Sequence, residues 1–224
     1  MSGSPSLPRR KRVAVFISGG GSNMLSLADA CAAPDFPAEI VAVFSDKPSA
    51  GGIARAEARG IRTVVLERKA FAGKPEHEAA ILAALDEVKP DILCLAGYMR
   101  LFSSEFISRY EGRILNIHPA LLPLFPGLHT HQRALDAGVR IAGCTVHFVT
   151  EGMDEGPIVA QAAVPVLSDD TAEALAARIL TVEHQLYPLA LKLLAEGKIG
   201  MEDGKAIFRN VAAKDGAKLI SPAP

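Results

Sequence analysis

Cysteine is scarce in this chain of 224 residues: there are three, Cys31, Cys94 and Cys144, and no two share a CxxC spacing. A disulfide framework and the usual zinc pattern are therefore not expected, and a reducing, cytoplasmic compartment is the simpler reading. An excess of charge of one sign is also missing. With 24 Lys and Arg against 25 Asp and Glu, the formal net charge is −1. That balance argues against a nucleic-acid partner, whose recognition normally needs a basic face. No stretch approaches the ~20 apolar residues of a transmembrane helix, so no membrane partner is expected. The apolar run Val13–Ile17 behind the basic start is too short for a signal-peptide core and ends in glycines.

What is present is a chain long enough to bury roughly 70% of its unfolded surface, with 49% hydrophobic residues. Apolar runs alternate with helical patterns. VAVFIS (Val13–Ser18), EIVAVFS (Glu39–Ser45), IRTVVL and ILCLAG read as short strands buried on both faces. Between them lie helical stretches: Asn23–Ala33, Gly51–Arg59 ended by Gly60, and Pro75–Val88 with Ile81, Leu82, Leu85 and Val88 on one face. That rhythm predicts an α/β fold with a doubly wound, mostly parallel sheet and helices on both faces. The later half is more mixed. ILNIH (Ile114–His118) is a strand, and PALLPLFPGLHTH is too proline-rich for regular structure. His131–Ala137 is a short helix. AGCTVHFV alternates, with Cys144, Val146 and Phe148 opposed to Thr145, His147 and Val149. IVAQAAVPV reads as an edge strand, Asp170–Glu196 as a long helix stopped by Gly197, and KAIF as a possible last strand. The expected organisation is a flexible basic arm over 1–11, one domain over 12–208 and a tail over 209–224.

Three clusters could carry chemistry. SGGGSN (Ser18–Asn23) joins a strand to a helix, where glycines let backbone N–H groups approach an anion. It fits neither the dinucleotide fingerprint nor a Walker loop, so it is a single-phosphate site or an ordinary tight turn. In NIHP, Asn116 and His118 are two apart and share a strand face near its carboxyl end. An amide and an imidazole there can both donate to a developing oxyanion; the other reading is a hydrogen-bonded interior histidine. In MDEGP, Asp154 either bonds its own turn or reaches His118 and favours its charged form. Of the other histidines, His77 is expected to face solvent, His147 to point away from its apolar neighbours toward a cleft, and His129 and His131 to flank Thr130 without a third metal ligand.

Taken together, ISGGGSN, AGYMRLF (Ala96–Phe102), ILNIHPALLPLFPGLHTH (Ile114–His131), GCTVHFVTEGMDEGPIVAQ (Gly143–Gln161) and TVEHQLYP (Thr181–Pro188) resemble the phosphoribosylglycinamide formyltransferase family, in the same order from about residue 12 to about 208. The resemblance implies transfer of the formyl group of 10-formyltetrahydrofolate, as co-substrate, to the amine of glycinamide ribonucleotide in purine biosynthesis. It implies a catalytic Asn116, His118 and Asp154 and no metal. Gly21, Ser22, Asn23 and Glu183 would hold the ribonucleotide, although Glu183 could instead be a helix-surface charge. Lys74, Met99, Arg100, Leu101, Phe102 and Asn116 would hold the folate, with the loop Val149–Asp154 closing over it. The partners are then small molecules, and the protein is a monomer or homodimer. The chain departs from the family's pattern at Gly20, Lys74, Ala120 and Leu124; a lysine at 74 lacks the bidentate fork of arginine. Two relatives with the same triad, a formyltetrahydrofolate hydrolase and a methionyl-tRNA formyltransferase, carry an extra domain for which residues are lacking before Val13 and after the long helix. A non-catalytic mononucleotide-binding module would need only the glycine loop, and the polar set at 116, 118 and 154 argues against it.

Overall fold

The computed structural model describes residues 9–211, 219 and 221. A seven-stranded sheet forms its centre, in the order β3-β2-β1-β4-β5-β6-β7. The strands are β1 (Lys11–Ile17), β2 (Ala38–Ser45), β3 (Thr63–Val65), β4 (Ile92–Leu95), β5 (Ile114–His118), β6 (Ile141–Phe148) and β7 (Ile158–Pro165). β1 to β5 pair in parallel, whereas β6 lies antiparallel to β5 and β7 antiparallel to β6. Pro165 closes the edge strand β7, where its missing N–H does least damage.

Strand alternation sorts the core into two layers. Val13, Val15 and Ile17 pack on one side with Met24 and Leu27 of α1 (Ser22–Cys31). α2 (Gly51–Glu57), α5 (Thr130–Asp136) and α6 (Ala172–Ala195) share that side. Ala14 and Phe16 face the other layer, against Ile81 and Leu85 of α3 (Lys74–Val88) and Phe106 of α4 (Ser104–Arg109). β1 is fully covered on both faces, which is why its sequence is an unbroken apolar run. Thr171 caps α6 by accepting a hydrogen bond from the Ala174 N–H, and Gly197, at φ 69°, follows its end. Tyr187, mid-helix and fully buried, places its hydroxyl 3.0 Å from the carbonyls of both Leu95 and Leu115, tying α6 to β4 and β5.

Several expectations need correction. α2 ends at Glu57 rather than Arg59, and Gly60, at φ 70°, lies just beyond it. α4 and the small hairpin strand β8 (Ile199–Glu202), which pairs with β9 (Lys205–Phe208), were not anticipated. β6 alternates as read, but its second face is covered too: Thr145 and His147 are as buried as their apolar neighbours. His77 does not face solvent. It sits one turn before Ile81 on the buried stripe of α3, 4% exposed, with Nε2 2.8 Å from the Leu66 carbonyl. Its polarity masked a position that helical geometry assigns to the interior. The basic arm is also shorter than expected. Lys11 opens β1, Arg10 donates to the carbonyls of Cys31 and Ala38, and Arg9 pairs with Asp91 at 2.9 Å. At the other end Arg209 donates its N–H to the Lys198 carbonyl and belongs to the hairpin. The arm over 1–8 and most of the tail, 212–218, 220 and 222–224, lie outside the described residues.

Candidate active site

The chemistry-bearing residues gather at the carboxyl edge of the parallel strands. Asn116 and His118 project from the last turns of β5, on one face as their spacing requires. The loop between β6 and β7 brings Asp154 to them, with its backbone at φ 57°, a left-handed turn that Asp tolerates. His118 Nδ1 lies 3.3 Å from Asp154 Oδ2, and the ring's other nitrogen, Nε2, is 2.9 Å from the Phe125 carbonyl. Both ring nitrogens thus face acceptors, a set that an imidazolium satisfies with its two donors. The Nε2 edge is therefore engaged by the chain, and the Nδ1 edge is the one shared with Asp154. The choice between an interior histidine and a catalytic one falls between the two. His118 is buried and bonded, yet it lines an open cavity.

Asp154 is held from several sides. Oδ2 accepts the Gly127 N–H at 2.8 Å, and Oδ1 lies 3.7 Å from His147 Nε2. Burial alone would raise its pKa; His147, the Gly127 N–H and the charge of His118 more than reverse this and hold the carboxyl below the usual carboxylate range. Asn116 Nδ2 is 3.1 Å from His147 Nε2. His147 Nδ1 is 2.9 Å from the Phe148 carbonyl, to which it donates. His147 thus does turn from the apolar set toward the cleft, as its phase in the strand implies.

Proline-rich residues 119–129 shape one wall. The Thr145 hydroxyl donates to the Ala120 carbonyl at 2.7 Å and accepts the Leu122 N–H at 3.0 Å, while Gln161 donates to the Leu122 carbonyl at 2.9 Å. Sequence reading missed this pinning of an irregular loop by β6 and β7; its only trace was a hydroxyl and an amide inside otherwise apolar strands.

A cavity of about 630 Å³ opens beside the triad, bounded by Asn116, His118 and Asp154 on one side and Met99 to Leu101 on the other. His129 and His131 also line it; burial lowers the His131 pKa. Among the described residues no three His, Cys, Asp or Glu side chains cluster as metal ligands would. A second cavity of about 390 Å³ lies past the same ledge, lined by Lys74, Arg68, Glu78 and Arg100. Lys74 is half-exposed there, 3.7 Å from Glu78. Residues 149–154 border a narrower space against Tyr98, Leu101 and Asn116. Met99 and Leu101 are exposed on the ledge. Phe102 is not: it stacks on Phe106 at 3.9 Å and belongs mainly to the core.

The glycine loop lies at the same edge. Gly21, at φ 73°, precedes α1 and provides no side-chain cap, which leaves first-turn N–H groups open. A Cβ on Gly21 would sit 2.9 Å from Gly52 Cα, so two backbones meet where only glycine fits. Glu183 is not a helix-surface charge. It is 6% exposed, and its carboxylate accepts the Asn23 amide at 2.7 Å. Burial pushes its pKa up, against the opposing hydrogen bond from Asn23. Asn23 Oδ1 is buried with no partner among the described residues, a group that a ligand's donor would satisfy.

Comparisons with known proteins show the family. A family model described as formyl transferase matches residues 11–191. The phosphoribosylglycinamide formyltransferase of Escherichia coli (strain K12) is 42% identical over 207 residues, which cover 92% of this chain and 95% of that protein. The trifunctional purine biosynthetic protein adenosine-3 of Bos taurus is 45% identical over 199 residues, 88% of this chain but only 20% of that protein's length. Among solved structures, phosphoribosylglycinamide formyltransferase from Brucella melitensis is 73% identical with a TM-score of 0.81, covering 84% of this chain and 96% of its own.

Proposed function

The chain belongs to the formyl transferase family, and from that premise we propose that it is a folate-dependent phosphoribosylglycinamide formyltransferase, moving the formyl group of 10-formyltetrahydrofolate to the amine of glycinamide ribonucleotide. The observation that carries this reading is the meeting of Asn116, His118 and Asp154 at the wall of the 630 Å³ cavity, on the edge that also bears the glycine loop.

In this reading the ribonucleotide phosphate sits on Gly21, Ser22 and Asn23, and Glu183 with Asn23 meets the donors of its ribose or amine end. The folate lies along Met99, Arg100 and Leu101 with Lys74 toward its acidic tail, and residues 149–154 cover the ring. Its backbone partners can read a heteroaromatic edge, and the exposed Met99 and Leu101 supply apolar contact. The amine attacks the formyl carbon, and the carbonyl pair moves onto oxygen. Asn116 Nδ2 donates to that oxygen, and the His118 Nδ1–H, whose contact with Asp154 is long at 3.3 Å, is shared between that oxygen and the carboxylate that keeps the ring in place. Collapse breaks the bond to the folate nitrogen, which takes up the proton the amine releases. The chemistry rests on placement and hydrogen-bond donors, with no covalent nucleophile and no metal. The substrates are small molecules, the protein acts without nucleic acid or membrane, and a cytoplasmic site and a monomer or homodimer are consistent with it. Among the described residues no helix is long and apolar enough to cross a membrane.

A steady-state assay with purified protein, the ribonucleotide and 10-formyltetrahydrofolate tests this. Formylated product is expected. Folded protein that binds folate tightly yet transfers nothing would favour the non-catalytic module.

A further inference from the structure

Ser18, Asp46 and Arg100 form a chain of contacts that the reading above leaves without a role. Asp46 follows β2 directly, and its side chain is wholly buried. Both carboxylate oxygens are engaged: Oδ1 accepts the Ser18 hydroxyl at 2.6 Å, and Oδ2 accepts Arg100 Nε at 2.9 Å. The Ser18 oxygen in turn accepts the Met99 N–H at 3.0 Å, and the Ser18 N–H donates to the Gly97 carbonyl at 3.1 Å. Three segments that meet only in the tertiary structure, the ends of β1, β2 and β4, are thus joined through one carboxylate.

A fully buried carboxylate is stable only when paired and hydrogen-bonded. Its cationic partner here is not buried: the Arg100 side chain is 46% exposed and borders all three spaces around the ledge. Asp46 takes only the Nε of that guanidinium. The two terminal nitrogens have no partner among the described residues, and together they make the planar fork that matches a carboxylate. The carboxylate is therefore placed to orient a cation that serves something outside the chain.

We propose that Asp46 is a positioning residue for the co-substrate side of the site: it holds Arg100 by Nε so that the terminal fork meets an anionic carboxylate of the folate, and through Ser18 it fixes the Met99 backbone of the ledge. This rests on the assignment of Met99 to Leu101 to the folate. The ribonucleotide side is left alone by a suitable substitution. Asn at 46 keeps an acceptor for the Ser18 hydroxyl but removes the charge that holds Arg100.

The experiment is a kinetic double-mutant cycle on Asp46→Asn, Arg100→Gln and the two combined. Asp46→Asn is expected to raise KM for 10-formyltetrahydrofolate about 10- to 100-fold, the scale of a charged hydrogen bond, with kcat and the ribonucleotide KM within about 2-fold. In the Arg100→Gln background the same substitution should add less than about 2-fold, because its target is gone. Equal falls in kcat and in both affinities, or full additivity in the cycle, overturn the proposal by making Asp46 a general structural residue. If Arg100→Gln leaves the folate KM unchanged, the folate assignment of the ledge fails and the proposal falls with it. If Arg100→Gln raises that KM and Asp46→Asn does not, only the role of Asp46 is lost. Ser18→Ala, a smaller side chain at a buried site, is the second variant should Asp46→Asn not fold. It is expected to raise the folate KM by about 3-fold with folding intact, and no change in that KM overturns the proposal.

Discussion

The two edges of the parallel sheet each carry a sizeable cavity and a concentration of polar side chains, and they handle them in opposite ways. At the amino edge a space of about 560 Å³ is lined by Arg9, Arg12, Arg109 and Arg113. Each of these arginines is already answered: Arg9 by Asp91 at 2.9 Å, Arg12 by the Val88 carbonyl at 2.8 Å, Arg109 by Asp86, and Arg113 by the Arg109 carbonyl and the Tyr110 ring. Most of these groups are exposed, so the pairs add little beyond solubility. At the carboxyl edge the polar groups are buried and their partners incomplete. Among the described residues Asn23 Oδ1 has no partner, Glu183 is held with a raised pKa, and His118 meets Asp154 at a loose 3.3 Å. Cavity volume does not separate the two edges. What separates them is unsatisfied polarity in a low-dielectric place, which a fold retains only where a ligand completes it.

Substitutions should therefore divide by edge. The largest effect is expected from His118→Ala at the carboxyl edge. Turnover should fall about 100- to 1000-fold, while the melting temperature moves little; a collapsed Tm with normal activity per folded molecule would make His118 structural. Gly21→Ala comes next. Forcing a Cβ into the left-handed region and against Gly52 should cost about 1–2 kcal/mol and raise the ribonucleotide KM about tenfold, measurable by denaturant unfolding and initial rates.

Asp154→Asn tests the acid side of the comparison. The folded carboxyl is held below its unfolded value, so its contribution is present above about pH 4 and lost as pH falls through the folded pKa. The variant should be about 1–2 kcal/mol less stable at pH 7, with the gap closing in acid unfolding curves. Glu183→Gln has the opposite sign. Its folded pKa is raised, so the carboxyl favours folding at low pH and becomes a burden as pH climbs through and above the folded value. At pH 8 the Gln variant should melt roughly 2–4 °C higher than the parent, yet bind the ribonucleotide more weakly; a lower Tm would mean the charge is not a stored cost. The smallest change belongs to the amino edge. Arg109→Ala should shift stability by no more than about 0.5 kcal/mol and leave both substrate KM values unaltered. A marked loss of activity there would erase the distinction between the edges.

Much of the fold was legible along the chain because burial on both faces writes itself as continuous β-branched runs. Val13–Ile17 and Ile92–Leu95 read correctly for that reason, as did the stop of α6 at Gly197. His77 misled because a single polar residue on an apolar stripe was judged by its chemistry and not by its place on the helix. Thr145 and His147 were read on the face opposite the apolar set and lie there; what the alternation did not tell is that this face is buried as well. An antiparallel pair usually leaves one face wet, but the loops at 119–129 and 149–157 cover β6 on the face these two residues occupy. Residues 116, 118 and 154 stood out as candidates in their motifs, and the glycine loop in its place between a strand and a helix, and the fold brings them to one edge. Asp46 could not: a lone acid after a strand looks like any turn residue until Ser18 and Arg100 are brought to it.

The chain alone determined its periodicities, its layer class and the identity of the groups able to donate to an oxyanion, since these depend on residue type and on spacing within single elements. The fold decided which of those groups meet. Asp154 lies 36 positions from His118, and Glu183 lies 160 from Asn23. Contacts across such separations are set by how strands order themselves in a sheet and how loops cross its edge, where burial energy summed over the whole core outweighs any local preference.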